Sequence, residues 1–153
     1  MARSIEWAAR ICGAAILCLI VSLSSAHASG NASVIGAWLT PEGDGVITIE
    51  RCGDALCGRI AGITRAPGEA EPTDVNGKPQ CGLTIISEER PDGDGTWLGE
   101  ITDPRTGDTY GAKLWVGQDG NLRLRGFLGL PLLGETQTWR PFAGHLTPAC
   151  EII

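Results

Sequence analysis

Glycine and proline cut this chain into pieces too short for sustained helices. There are 22 glycines and nine prolines in 153 residues, and no stretch keeps an apolar stripe at helical spacing. Between the breaks lie eight runs of strand character: 34–40, 46–51, 56–63, 83–87, 96–102, 109–116, 122–127 and 136–140. The separators carry turn chemistry, as in Glu42-Gly43-Asp44-Gly45, Pro91-Asp92-Gly93-Asp94-Gly95 and Gln118-Asp119-Gly120. Glycine supplies positive φ there, and Asp hydrogen-bonds its own backbone. Several runs alternate. Ile47 and Ile49 oppose Thr48 and Glu50; Tyr110, Ala112, Leu114 and Val116 oppose Lys113; Leu122 and Leu124 oppose Arg123 and Arg125. One dry face and one wet face per strand predict an all-β fold, an antiparallel meander closed into a small barrel of roughly eight strands. Gly58, Gly62, Gly99 and Gly111 are positions where missing side chains would open a cavity inside it.

The N-terminus sets the compartment. Arg3 and Arg10 precede an apolar run, Ile11 to Leu23, which ends in Ser24, Ser25 and the pair Ala26-x-Ala28. That is the layout of a signal peptide over residues 1–28, and it predicts a periplasmic or secreted domain over 29–153. The run is shorter than the roughly 20 residues of a membrane span, so no span is expected after cleavage. Without residues 1–28 the chain has ten basic and seventeen acidic residues, a formal charge of −7. Such a field repels nucleic acid and anionic lipid. Four cysteines remain, Cys52, Cys57, Cys81 and Cys150. In an oxidising compartment they read as two disulfides. Of three pairings, Cys52–Cys57 with Cys81–Cys150 is favoured, because the first two face each other across a short turn.

No catalytic signature emerges. His145 is the one histidine beyond residue 28, too few for a histidine-built metal site or triad. Glu100 with Asp103 or Asp108 would be the acid–base pair of a carboxylate hydrolase, the least favoured reading; Asp103 is expected to cap its own turn. Asp74-Val75-Asn76-Gly77 begins like a calcium loop but lacks the later bidentate Glu, so neither metal nor cofactor is expected. The long connection from Thr64 to Gln80 is a candidate lid. Lys113, Arg123 and Arg125 share a face that is either an ordinary wet exterior or a pocket for an anionic ligand, with the exterior favoured. The segment 126–134 is apolar for a loop, suited to plugging the barrel end or meeting a partner or membrane.

Taken together, the ordered blocks Gly36-Ala37-Trp38, Cys52-Gly53-Asp54-Ala55-Leu56-Cys57-Gly58, Cys81-Gly82-Leu83, Trp97-Leu98-Gly99, Ile101-Thr102-Asp103-Pro104, Gly107-Asp108-Thr109-Tyr110, Arg125-Gly126-Phe127-Leu128-Gly129 and Gly134-Glu135-Thr136-Gln137-Thr138-Trp139-Arg140 resemble the DUF2147 family of exported bacterial proteins. The resemblance implies a lipocalin-like barrel and no established activity. Within it, Gly36-x-Trp38 and Arg140 are similar to the lipocalin signature, in which an arginine lies over a tryptophan. The expected barrel and the apolar segment from Phe127 to Leu133 favour binding of a small apolar, amphiphilic or anionic ligand, with Tyr110, Trp115, Arg125, Phe127 and Leu130 as the candidate contacts. The alternative is a structural module that binds another envelope protein through 126–134.

Overall fold

The computed structural model of the protein describes residues 33–153; the signal-peptide reading lies outside them. Eight strands follow one another: β1 (Gly36–Leu39), β2 (Gly45–Cys52), β3 (Ala55–Ile63), β4 (Thr84–Pro91), β5 (Trp97–Thr102), β6 (Thr109–Val116), β7 (Leu122–Phe127) and β8 (Glu135–Pro141). Each pairs antiparallel with the next, and β8 returns to β1, so the meander is a closed barrel. Closure removes the exposed edges that an open sheet would carry. Antiparallel succession also sorts the connections. Those after β1, β3, β5 and β7 gather at one end, called the loop end here, and the three between lie at the other.

The inner face is built by alternation. Trp38, Ile47, Ile49, Leu56, Ile60, Ile86, Leu114, Leu122, Leu124 and Trp139 are buried in one cluster, with Trp97, Ile101 and Val116 packed against it. The four glycines held out as cavity formers are filled instead. A Cβ on Gly58 would meet Ile86 and Ile47, and one on Gly62 would meet Leu146 and Ile152. A Cβ on Gly111 would strike the ring of Phe127, and one on Gly99 would lie 2.6–2.8 Å from backbone atoms of Ser87, Glu88 and Glu89. Glycine here admits neighbours rather than a ligand.

That approach at Gly99 accompanies the main irregularity of the barrel. β4 runs to Pro91, four residues past its predicted end, and carries a bulge: Ser87 faces Glu100, whereas Arg90 faces Leu98. Glu88 sits at φ 56°, in left-handed territory that a residue with a Cβ rarely enters. The extra residue resets the alternation, so Ile86 and Glu89, three positions apart, both face inward.

Both disulfides form as expected. Cys52–Cys57 closes the β2–β3 turn with Cα atoms 5.8 Å apart, and Cys81–Cys150 joins the long connection to the C-terminal tail at 5.9 Å, ordinary spacings for the bond. The tail lies against the outside of the barrel. Phe142 donates its N–H to Ala37 O, Ile63 donates to Cys150 O, and Leu146 and Ile152 cover Gly62 beside the buried Val46.

Candidate functional site

The loop end holds a cleft of about 200 Å³ between the long connection, β4, the end of β5 and the β5–β6 turn. Leu83 and Ile85, both part of or packed on the core, line it together with the exposed Val75 and with Pro104. Asp74, Asn76, Thr84 and Thr102 give it a polar rim. The connection that walls it is pinned. Thr73 and Pro79 bridge as a small hairpin, Val75 donates to Pro104 O (2.8 Å), and Cys81 both donates to the Glu71 carboxylate (3.2 Å) and bonds to Cys150. Asp74 accepts from the backbone N–H groups of Lys78 and Asn76, at 2.8 and 2.9 Å. Those donors, Lys78 first, hold its carboxyl below the usual range. Its lone pairs therefore serve its own turn before any cation.

A second feature at this end is the β7–β8 connection. One turn of 3-10 helix, η1 (Pro131–Leu133), folds back on β7. Arg125 holds it, donating Nε to Pro131 O, Nη2 to Leu132 O (3.0 Å) and Nη1 to Thr136 Oγ1 (2.7 Å). The leucines around it stand in solvent: Leu128 is 71% exposed, Leu130 64%, Leu132 84% and Leu133 78%.

Glu89 is the third feature. It is 0% exposed, and neither carboxylate oxygen has a hydrogen-bond partner. It is in register with the fully buried Leu56 on the inner face. Burial pushes its carboxyl up to about 8, because an apolar surround disfavours the charged form. Strict alternation along β4 puts Ile86, Glu88 and Arg90 on one face and so misses Glu89. The visible hint was Gly99 on the facing strand, a gap into which a bulge fits.

The five candidate contacts are not gathered into one pocket. Tyr110 is in register with Ile101 on the inner face. Trp115 pairs with Arg123, Arg125 with Lys113 and Thr136, and Phe127 with Gly111, all on the outside, while Leu130 stands on the exposed loop. Lys113 pairs with Asp92 and Arg123 with Asp119, at 2.8 and 2.7 Å, so this basic face is the wet exterior. The Trp38–Arg140 pair does not stack. Arg140 is in register with Leu39 and points outward, whereas Trp38 points inward and donates Nε1–H to Val34 O at 2.8 Å.

The carboxylates considered for hydrolysis are dispersed. Glu100 is exposed on the outer face. Asp103 accepts from the backbone and guanidinium of Arg105, which lowers its carboxyl; its own carbonyl accepts from Gly107 N–H. His145 is exposed in the tail. Glu50, Cys52 and Cys57 lie close enough to share an ion, but the two sulfurs are already joined to each other.

The family described as an uncharacterized protein conserved in bacteria, DUF2147, matches residues 36–140, from the first strand into the last. The chain belongs to the DUF2147 family. Its barrel is similar to a solved structure described as "Protein HP1028 from the human pathogen Helicobacter pylori belongs to the lipocalin family". The TM-score is 0.62 at 14% identity, over 73% of this chain and 84% of that one. At that identity the likeness establishes the fold, and the DUF2147 barrel is lipocalin-like. No curated protein matches the chain. Among the described residues, no helix is long and apolar enough to cross a membrane.

Proposed function

We propose that this DUF2147 protein is an exported barrel that binds a small amphiphilic molecule at its loop end, in the periplasm or outside the cell. The observation that carries the reading is the cleft, with Leu83 and Ile85 in its lining and its polar rim of Asp74, Asn76, Thr84 and Thr102. Most of its accessible lining is polar, so the polar group of the ligand is the part it holds. At about 200 Å³, the cleft suits a small ligand, or one group of a larger one. Two disulfides and the N-terminal sequence support export.

The test is native mass spectrometry of the protein purified from its own envelope fraction, followed by denaturation of the same sample. The expected result is a mass excess that vanishes on denaturation. Thr84→Trp, which fills the cleft from an exposed position, is expected to abolish that excess without changing the unfolding temperature. A bare wild-type chain overturns the reading.

A further inference from the structure

We infer that residues 87–91 of β4 form a proton-controlled door in the barrel wall, shut while Glu89 is protonated and swung outward when it ionises.

Both ladders that hold this segment are broken. Towards β5 the register shifts between Ser87 and Arg90, and Pro91 beyond it has no N–H to give. Towards β3 it shifts on either side of Gly58, so Glu89 with Leu56 is the one pair that residues 87–91 make there. By contrast, β6 and β7 pair through six successive residues without a shift. Glu88 adds strain, since φ 56° is left-handed backbone. Its ion pair with Arg90, at 3.1 Å, joins two exposed residues of the segment itself and ties it to no other strand. The ends are fixed instead. Ile86 is fully buried in the core. Asp92 donates its N–H to Thr96 O (2.9 Å), and its carboxylate pairs with Lys113 Nζ at 2.8 Å. The piece between these anchors is free to move while they stay in place.

What the segment carries decides when it moves. Glu89 is wholly buried, and neither carboxyl oxygen has a partner. The strands packed against β4 are β3, β5 and β6. Their inward residues beside it are Leu56 and Gly58, Trp97 and Gly99, and Ala112 and Leu114, none of them titratable. Tyr110 also faces inward, but it lies beside Ile101 towards the loop end. Arg59, Glu100 and Lys113 face outside, and Arg51, in register with Leu56, is exposed. No charge therefore meets an ionised Glu89 in the shut wall, where it would stand unpaired in an apolar core. Burial alone raises its carboxyl. Swinging residues 87–91 outward takes that charge to water, relieves Glu88 and leaves the rest of the barrel paired. The door lies at the barrel end opposite the cleft, so the inference does not rest on the ligand reading. It gives the core a side entrance that opens more often as pH rises.

The experiment is hydrogen exchange read by mass spectrometry on the chain from Ser29 to Ile153, with both disulfides formed, at pH 5.5, 6.5 and 7.5. Protection is expressed relative to intrinsic exchange, without urea and in about 1 M urea. Protection of the peptide covering 87–91 is expected to fall about tenfold for each pH unit, because the open form binds the proton more weakly. It is expected to lie below that of 111–116 and 122–127, and to ignore the urea, since a local opening exposes little surface. In Glu89→Gln the same peptide is expected to keep one protection at all three pH values. Wild-type protection that does not change with pH overturns the inference, as does a Gln variant that retains the fall. Protection and urea dependence equal to those of β6 and β7 overturn it as well, because the proton then leaves only by global unfolding. That last comparison uses the wild type alone, so it decides the matter even where the variant fails to fold.

Discussion

Glu89 makes the stability of this barrel depend on pH in a direction opposite to that of an ion-paired carboxylate. Its ordinary value near 4.5 rises to about 8 on burial. The folded protein therefore holds the proton through neutral pH, while the unfolded chain releases it. Stability from this group is fully present below pH 4.5 and is lost progressively as pH rises towards 8, at up to about 1.4 kcal/mol per unit. The loss is about 1 kcal/mol at pH 5 and about 3 kcal/mol at pH 7. That is a large share of the roughly 5–15 kcal/mol that holds a domain folded. Glu89→Gln keeps the shape and removes the titration. Urea unfolding of both proteins, followed by tryptophan fluorescence at pH 5, 6, 7 and 8, isolates the effect. The glutamine variant is expected to gain on the wild type by about 2 kcal/mol between pH 5 and 7. Glu89→Leu is expected to show the same pH trend with a larger offset, since no polar group is left unpaired. A difference between wild type and Gln variant that stays flat with pH would refute the burial argument.

Three further outcomes follow from the geometry. Replacing both members of Cys81–Cys150 with Ser, whose separation is 69 residues, is expected to cost about 4 kcal/mol, against about 2 for Cys52–Cys57 at five; equal losses in reversible unfolding under oxidising conditions would count against loop entropy as the cause. Gly99→Ala drives a Cβ to within 2.8 Å of the β4 bulge backbone and is expected to destabilise by about 1–3 kcal/mol, whereas Glu88→Gly relieves a positive φ and is expected to stabilise by about 1 kcal/mol; both are read from denaturant midpoints. Arg125→Lys removes the fork that holds Pro131 and Leu132, so amide exchange at Leu133 and Gly134 is expected to quicken while the core tryptophans keep their emission.

The barrel was legible in the sequence because its signals are local. Gly/Asp turns and two-residue alternation placed eight strands within a few residues of their true ends, and Cys52 and Cys57 lay across a turn that brings them together. The failures are cases where register overrides local pattern. Arg140 shares a face with Leu39, not Trp38, because one step along β8 changes sides. Tyr110 and Trp115 looked like two parts of one site, yet odd and even positions of β6 face opposite ways. Gly58 and Gly111 read as empty space because the side chains that fill them, from Ile86 and Phe127, come from other strands. Glu89 was hidden by the bulge that aims it.

The ladder between β1 and β8 consists of just two residue pairs, Trp38 with Pro141 and Leu39 with Arg140, extended by the bond from Phe142 N to Ala37 O. Every other neighbouring pair of strands is joined by its own connection. This one must bring together segments about a hundred residues apart, so loop-closure entropy places it last in assembly. Beyond β8 the tail runs past this seam to β3, where Cys81–Cys150 fastens it. Once that bond is reduced, the same two-pair seam is the first place the wall parts when the barrel opens, and the edge through which two copies would exchange strands.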